Sequence, residues 1–411
     1  MKKLMYLEYQ EAVEKSLENV KVTQKVEYIS LEKSVGRILS KDVDCKKNMP
    51  SFDNSAMDGF AFKADDAGKQ LTVKSVVFAG DNSTLEISDG ECCKIMTGAM
   101  IPSGADTIIP VEDTVFFDDD FMQLPEAVKK GNHFRVKGEE YQSGTSIFKK
   151  GEKIDSAKVA ILASQGITMI EVFVKLNIAV LSTGNELKEP WENADEYQIY
   201  NSNSYAIVSM LKEHDFEASY IGVVPDNLED SISYINSLKS YDVVITTGGI
   251  SMGDADFVAE AFTRNGLEVL FHGVNVKPGR PTMMGMMGDT YVMAMPGNPL
   301  TALINTYLLS LPIIYKSSGA SAYYHDFVYA KNNAAFKVKA KRANVVLGNL
   351  ENGEFNVTQN NKYGSGMLAP LTQSNCVLIT LDDKNSINEN EIVQVIPFGL
   401  ELKTKKSNIY N

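Results

Sequence analysis

The sequence predicts a multidomain protein in which a central α/β domain is accompanied by β-rich segments. Strand-like and helix-like stretches alternate strictly from about residue 173 to residue 322, which is typical of an open, mostly parallel sheet between layers of helices. Short β-branched runs with Gly and Asp turns occupy residues 50–138, and strong alternation returns after residue 322. At 411 residues the chain is too long for one hydrophobic core, so we expect several domains.

The first third of the chain mixes short elements. Residues 8–20 have the pattern of an amphipathic helix, and a strand-and-turn segment follows to about residue 47. The runs "LTVKSVVFAGD" and "ADTIIPVEDTVFF" predict strands of a mostly β module. A helix is predicted over residues 155–166, with Gly166 as its C-cap.

The central segment contains four predicted strands, each followed by a helix. The strands are "NIAVLSTGNEL", "ASYIGVVPD", "DVVITTGG" and "DTYVMAMPGNP". Ligands of open α/β sheets bind beyond the carboxyl ends of the strands. Polar, Gly and Pro residues gather at these four ends, in residues 183–186, at Asp226, and in residues 246–256 and 296–299. We therefore expect one binding site spread over all four strand ends.

Composition narrows the classes of function. A formal net charge of −13 argues against a nucleic-acid-binding protein, although an acidic protein can still contain a local basic pocket for a small anion. No run of eighteen apolar residues predicts a membrane span, and the N-terminal sequence does not resemble a signal peptide. The four cysteines form no C-x-x-C pair, which disfavours a disulfide framework or a thiolate zinc site and favours a cytoplasmic protein.

The stretch "TTGGISMGDADF" (246–257) combines features of an anion site. Gly248 and Gly249 permit positive φ and close approach of a ligand, and the following helix start offers unpaired N–H groups. An ordinary βα turn is the alternative, since neither a Walker A loop nor a G-x-G-x-x-G fingerprint is present. Asp256 either caps the helix or holds Mg²⁺, with Glu186 and Asp226 as further carboxylates.

Two further motifs lie near the same edge. In "VKPGRP" (276–281), Lys277 and Arg280 stand on a loop stiffened by Pro and Gly. They are either solvated charges or a clamp for an oxyanion. "MPGNPLTAL" (295–303) predicts a capped helix start or a shaped pocket wall. Polar clusters in 50–62 and 96–113 indicate turn networks or a second group of functional residues.

Six motifs together resemble the MoeA family of molybdopterin molybdenumtransferases, which includes the E domain of gephyrin. They occur in the order and rough spacing of the family, over essentially the whole chain: "FDNSAMDGFA", "MTGAMIPSGAD", "STGNEL", "TTGGISMGDADF", "KPGRP" and "MPGNP".

The resemblance implies a four-part, usually homodimeric protein. The expected parts are a discontinuous N-terminal domain (residues 1–47 and 139–172) and an inserted β module (48–138). They are followed by an α/β molybdopterin-binding domain (173–322) and a C-terminal β barrel (323–411). It also implies a cleft formed between the α/β domain of one subunit and the inserted module of the other.

The implied reaction inserts molybdate into adenylylated molybdopterin, with Mg²⁺-dependent release of AMP. By motif position the resemblance implies catalytic roles for Asp58, Thr97, Glu186, Asp226 and Asp256, of which the last three would bind the metal. It implies substrate binding by Gly248, Gly249, Ser251, Lys277, Arg280, Arg135, Glu140, Pro296, Pro299 and Ser365. A molybdopterin adenylyltransferase is the implied partner that delivers the substrate.

Two positions depart from the common family pattern. Asn185 stands where many relatives carry Asp, and Glu140 stands where Asp is common. Three alternative functions follow from the shared α/β domain or from gephyrin: a molybdopterin adenylyltransferase, a related nucleotide hydrolase, and a non-catalytic scaffold. The inserted module and the C-terminal barrel argue against the first, and the second leaves the motif "FDNSAMDGFA" unexplained and is usually accompanied by a different companion domain.

Overall fold

The structure is a computed structural model, which describes residues 6–81, 85–225, 227–248, 257–380 and 383–399. The chain forms two compact units. The first unit contains residues 1–40, 151–156 and 169–411, and the second contains residues 41–150 and 157–168. No helix among the described residues combines the length and the apolar character that crossing a membrane requires.

A mostly parallel sheet forms the centre of the first unit. Six strands from the described residues make it, in the spatial order Ala218–Val223, Ile178–Ser182, Val243–Thr247, Thr290–Met295, Met283–Met287 and Leu267–His272. The first four are mutually parallel, whereas Met283–Met287 runs antiparallel to both of its neighbours. The predicted α/β architecture is therefore confirmed, with one reversed strand.

Successive residues of the central strands pack on opposite layers of helices. Val243 and Ile245 belong to one hydrophobic cluster and Val244 to the other. Both faces of the sheet are covered, which explains why these strands are continuous apolar runs rather than alternating ones. The helices of this unit's α/β part are Tyr9–Glu18, Asn203–Glu213, Leu228–Ser237, Phe257–Arg264, Pro299–Asn305 and Leu311–Ser317.

The C-terminal part of the first unit is a closed barrel. Five strands from the described segments close it, in the order Ala343–Glu351, Glu354–Val357, Val328–Asn332, Ile392–Pro397 and Cys376–Ile379, with the last pairing back to the first. Phe355, Val346 and Val395 are fully buried inside it. A short strand, Val276–Lys277, pairs in parallel with the start of the Ala343–Glu351 strand. This pairing attaches the basic loop of the α/β part to the barrel.

Short two-stranded ladders complete the first unit. They pair Val26–Ser30 with Met169–Phe173, Leu187–Lys188 with Ile199–Tyr200, and Phe336–Lys337 with Ser386–Ile387. The short helix Ala369–Thr372 lies in the C-terminal part.

The second unit is built on a six-stranded sheet, as far as its described residues go. The spatial order is Thr107–Pro110, Gly59–Phe62, Glu91–Ile95, Gln70–Val77, Phe121–Gln123 and Phe116–Phe117. Cys92 and Cys93 are adjacent in a strand, so they point to opposite faces and enter separate clusters. Both are buried and unbridged, and burial raises the pKa of the Cys92 thiol to about 12.

Two short ladders and one helix complete the second unit. The ladders pair Asn54–Ser55 with Phe134–Arg135 and Val43–Asp44 with Ser146–Phe148. The helix Ser156–Ser164 ends two residues before Gly166, whose φ of 68° is the left-handed conformation expected of a glycine C-cap. The four-part division of the sequence remains a prediction, because the compact units do not test its boundaries.

Candidate oxyanion-binding site

A cleft of about 460 Å³ lies within the first unit, between the α/β part and the barrel. Its lining comes from four segments that are distant in sequence: the basic loop, the turn before the Pro299–Asn305 helix, the start of the Ala343–Glu351 strand, and the segment before the Ala369–Thr372 helix. The predicted residues Lys277, Arg280, Pro296 and Ser365 all line it. We refer to it below as the oxyanion cleft.

The basic loop is held rigidly at one wall of the oxyanion cleft. Val276 and Lys277 are paired with the barrel strand, which fixes the start of the loop. Gly279 has φ 110°, and its carbonyl oxygen accepts a hydrogen bond of 2.8 Å from the Asn305 side chain. A Cβ at Gly279 would lie 2.5 Å from Nδ2 of Asn305, which is itself buried. Glycine is therefore required here by both backbone conformation and space.

Three cations line the oxyanion cleft without a carboxylate partner in the described part of the chain: Lys277, Arg280 and Arg342. Arg280 stacks on the ring of Tyr6, with 4.6 Å between the guanidinium carbon and the ring centroid. The Nε atoms of Arg280 and Arg342 are buried and lack any hydrogen-bond partner among the described residues. Unpaired cations around one cavity, in a chain of net charge −13, create a local attraction for anions.

Arg342 is a member of the site that the sequence analysis missed. It lies in "KVKAKRAN", where four basic residues are interspersed with apolar ones in a pattern typical of a solvated strand. Nothing in this pattern distinguishes Arg342 from the neighbouring lysines. The signal appears only in three dimensions, where the barrel strand that begins at Ala343 pairs with Val276 and brings Arg342 to the cleft.

The turn at 295–299 forms the opposite wall. Pro296 is buried in this wall. Pro299 begins the helix Pro299–Asn305, and Pro299 stands beside the lining rather than in it. The side chain of Asn298 donates a hydrogen bond of 3.0 Å to the Ser365 hydroxyl. This bond connects the α/β part to the C-terminal segment and holds Ser365 at the oxyanion cleft.

The carboxyl ends of three parallel strands meet at Gly248. Gly248 has φ 78°, and a Cβ there would lie 2.9 Å from the carbonyl oxygen of Thr183. Gly248 N–H donates to Met295 O at 3.1 Å, and a Cβ at Gly297 would lie 3.6 Å from the Gly248 Cα. The close approach of these backbones explains the glycines. Gly249, Ser251 and Asp256, which were predicted to belong to the site, lie outside the described residues.

Glu186 lies in the loop that follows the strand Ile178–Ser182, and it is exposed. Its carboxylate faces Gly184, since a Cβ built there would meet Glu186 Oε2 at 2.6 Å. Carboxylate oxygen is the donor type that Mg²⁺ takes, so this residue suits the predicted metal. Asp226 and Asp256, the other two predicted ligands, lie outside the described residues, and no three metal-binding side chains cluster within the described ranges.

In the second unit, Asp58 and Thr97 form one hydrogen-bonded pair. The backbone N–H and the hydroxyl of Thr97 both donate to Asp58 Oδ1, at 2.6 and 2.7 Å. The side-chain hydrogen bond and then the backbone one hold the pKa of Asp58 below its usual range. The carboxylate is therefore ionised at neutral pH, exposed to solvent and fixed in direction.

Arg135 and Glu140 also come together in this unit. The Arg135 guanidinium donates to Glu139 at 3.0 Å and forms an ion pair with Glu140. Arg135 is held in turn by pairing of its strand with Asn54. The predicted Arg and acid are thus direct neighbours, and Glu139 is a second acid in contact with the same Arg that the sequence analysis did not name.

Comparison with known proteins matches the chain to three family regions. Residues 7–166 match the MoeA N-terminal region, described as domains I and II; residues 179–316 match a probable molybdopterin-binding domain; and residues 329–398 match the MoeA C-terminal region, domain IV. These regions occur in the order that the sequence motifs predicted.

Individual relatives match over nearly their whole length. A molybdopterin molybdenumtransferase of Haemophilus influenzae is 31% identical over 398 residues, which is 95% of this chain and 98% of that protein. One from Staphylococcus epidermidis is 30% identical over 381 residues, 90% of each chain. Among solved structures, a molybdopterin biosynthesis MoeA protein from Pyrococcus horikoshii has a TM-score of 0.82 at 28% identity, covering 96% of this chain and all of that one.

Proposed function

Since the chain belongs to the MoeA family, we propose that it is a molybdopterin molybdenumtransferase. In the proposed reaction it takes adenylylated molybdopterin and molybdate, releases AMP, and leaves molybdenum on the dithiolene sulfurs of the pterin. Its similarity to enzymes with this name extends over 95% of its length. We further propose that it acts in the cytoplasm, which is consistent with four buried, free cysteines.

The observation that carries the proposal is the set of unpaired cations in the oxyanion cleft. Molybdate is a tetrahedral dianion, and it needs positive charge and hydrogen-bond donors from several directions. Lys277, Arg280 and Arg342 supply charge, and the Ser365 hydroxyl supplies a further polar group. Their charges are not neutralised by acids in the described part of the protein, so they remain available to an anion.

The Gly-Gly turn supports a separate role in binding the pterin substrate. Gly248 leaves the backbone without a side chain at the point where three strand ends meet. We propose that this turn, with Gly249 and Ser251, binds the phosphate of the pterin. Pro296 and Pro299 would shape the wall between this turn and the oxyanion cleft, so that the pterin and molybdate bind at neighbouring places.

We propose Mg²⁺ as the cofactor and Glu186, Asp226 and Asp256 as the residues that would hold it. The bound metal would supply a Lewis acid that stabilises the charge developing on the departing AMP. The cations of the oxyanion cleft would bind molybdate, and the Gly-Gly turn would orient the pterin substrate. No side-chain nucleophile is required, because molybdate oxygen and the phosphoanhydride are the reacting groups.

We propose that the active cleft is completed in a homodimer, by the second unit of the other subunit. Asp58, ionised and directed by Thr97, would face the substrate there, and the Arg135–Glu140 pair would support the same loop region. A molybdopterin adenylyltransferase is the proposed partner that delivers the adenylylated substrate, because that substrate is the product of such an enzyme.

A turnover assay distinguishes this function from its rivals. Purified protein is given adenylylated molybdopterin and Mg²⁺, and AMP release is followed with and without molybdate. We expect release that depends on molybdate. Release that ignores molybdate would identify a nucleotide hydrolase, and formation of the adenylylated substrate from molybdopterin and ATP would identify an adenylyltransferase. Tight binding without turnover would identify a scaffold.

A further inference from the structure

Arg342 reaches the oxyanion cleft from a loop rather than from a regular element. The loop, residues 338–342, joins the short strand Phe336–Lys337 to the barrel strand Ala343–Glu351. Its residue Lys341 has φ 68°, a conformation that side-chain-bearing residues seldom adopt. Because Arg342 Nε has no hydrogen-bond partner among the described residues, the position of the Arg342 side chain depends on how the loop backbone is held.

Asn344 holds that backbone through its side chain, which is only 3% exposed. Its Oδ1 accepts a hydrogen bond of 2.9 Å from Lys339 N–H. Its Nδ2 donates to the carbonyl oxygens of Lys339 and Arg342, at 2.9 and 3.1 Å. One buried amide therefore ties both ends of the loop to the first residues of the barrel strand.

Asn344 is itself fixed from two sides. Its backbone N–H donates to the Thr380 hydroxyl at 3.1 Å, and Thr380 N–H donates to the Asn344 carbonyl oxygen at 2.9 Å. In the parallel ladder, Asn344 stands opposite Lys277. Asn344 thus contacts both cation-bearing segments: its backbone pairs with Lys277 in the ladder, and its side chain binds the backbone of Arg342.

We propose that Asn344 is a positioning residue for oxyanion binding, which sets the spacing of Arg342 relative to Lys277 and Arg280. The inference rests on the proposed function of the oxyanion cleft. An apolar side chain of the same size would fill the space, but it would leave Lys339 N–H and two carbonyl oxygens without their partner. The loop would then move, and Arg342 would move with it.

Asn332 provides a matched control. It is a fully buried asparagine on a strand of the same barrel, and its Nδ2 donates to the carbonyl oxygens of Ala334 and Asn388, at 2.8 and 2.7 Å. It does not line the oxyanion cleft. Replacing it removes a comparable buried amide and a comparable loop anchor, whose partners Ala334 and Asn388 do not line the oxyanion cleft either.

The test compares molybdate binding by wild type, Asn344→Ala and Asn332→Ala, by calorimetry well below the Tm of each. Both variants should lower Tm. Asn344→Ala should raise the Kd for molybdate at least about tenfold, since small misplacements of a binding group have effects of this size, and Asn332→Ala should leave it unchanged. In turnover, Asn344→Ala should raise the KM for molybdate with kcat retained. If Asn344→Ala does not fold, Thr380→Val replaces it and should raise the Kd to a smaller extent.

The outcomes separate this inference from the proposed function. Molybdate binding by wild type with an unchanged Kd in Asn344→Ala, or with equal weakening in Asn332→Ala, would overturn the positioning role and leave the function standing. A wild-type protein that binds no molybdate would overturn both.

Discussion

At the scale of single residues, the oxyanion cleft depends on charge that the protein leaves unneutralised. The described ion pairs of this protein lie mostly on its surface, as the pair between Lys21 and Asp289 does. Lys277, Arg280 and Arg342 have no carboxylate partner within the described ranges. A cation without an internal partner is available to a ligand. Removing such a cation should therefore change the affinity for the anion more than the free energy of unfolding.

Removal of the Arg342 side chain tests this directly. Arg342→Ala should raise the KM for molybdate at least about tenfold, the size expected for loss of a charge-assisted hydrogen bond, while kcat at saturating molybdate changes little. Lys339→Ala, which removes an equal charge from the same loop but not from the cleft lining, is the control. Equal effects of the two substitutions would mean that net charge alone is responsible.

The Asp58–Thr97 pair makes a prediction about pH. The folded pKa of Asp58 lies below its usual value because Thr97 donates to it twice. The pair therefore stabilises the second unit above the unfolded pKa, and this contribution is lost as pH falls through the folded pKa. Thr97→Val removes one donor and should raise the pKa of Asp58, as measured by carboxyl-carbon NMR titration. An unchanged pKa would mean that the hydroxyl does not contribute.

At the scale of elements, the basic loop is a rigid structure with a glycine at its centre. Gly279→Ala adds strain from a positive φ, which costs about 1–2 kcal/mol, and a clash with the buried Asn305. Gly288→Ala, at φ 65° with no atom within 4 Å of the new Cβ, adds the strain alone. Chemical denaturation should show a larger loss of unfolding free energy for Gly279→Ala. Equal losses would contradict the close packing at Asn305.

The sequence predicted the α/β elements well, because strands buried on both faces and helices with an apolar stripe have distinct periodicities. The basic loop was also evident, since Pro and Gly around two cations are unusual in an acidic chain. The sequence could not reveal Arg342, Asn344 or the contact between Asn298 and Ser365. These depend on pairing between Val276 and Ala343, residues that are far apart in the chain and carry no local signal of their proximity.

The reversed strand Met283–Met287 was not predicted either. Its apolar run resembles that of the parallel strands, and direction is set by the connection rather than by side-chain pattern. Here Gly288 and Asp289 form a tight turn into Thr290–Met295, and such a short link permits only antiparallel pairing.

At the scale of the whole molecule, the candidate residues fall into two sets on two compact units. Lys277, Arg280 and Arg342 belong to the first unit, whereas Asp58 and Thr97 belong to the second. If the cleft is shared between subunits, the first set comes from one subunit and the second set from the other. Activity measurements on mixed dimers can test this proposal.

Mixed dimers of Asp58→Ala and Arg342→Ala provide that test when they are assayed at molybdate well below the wild-type KM, where a tenfold rise in KM leaves Arg342→Ala about a tenth of wild-type activity. If each cleft combines one subunit's first unit with the other's second unit, a dimer of Asp58→Ala with Arg342→Ala has one cleft with both lesions and one with neither. A random equal mixture should then recover roughly a quarter of wild-type activity, since half of the dimers are mixed and half of their clefts are intact. Recovery should require subunit exchange, and its absence after exchange would contradict a shared cleft.

Whether the oxyanion cleft holds molybdate is tested most directly by anomalous diffraction at the molybdenum edge, from crystals equilibrated with molybdate. We expect an anomalous peak in the cleft, with oxygens within hydrogen-bond distance of Lys277, Arg280 and Arg342. A fully occupied molybdenum peak elsewhere in the protein, with none among these three cations, would contradict this expectation.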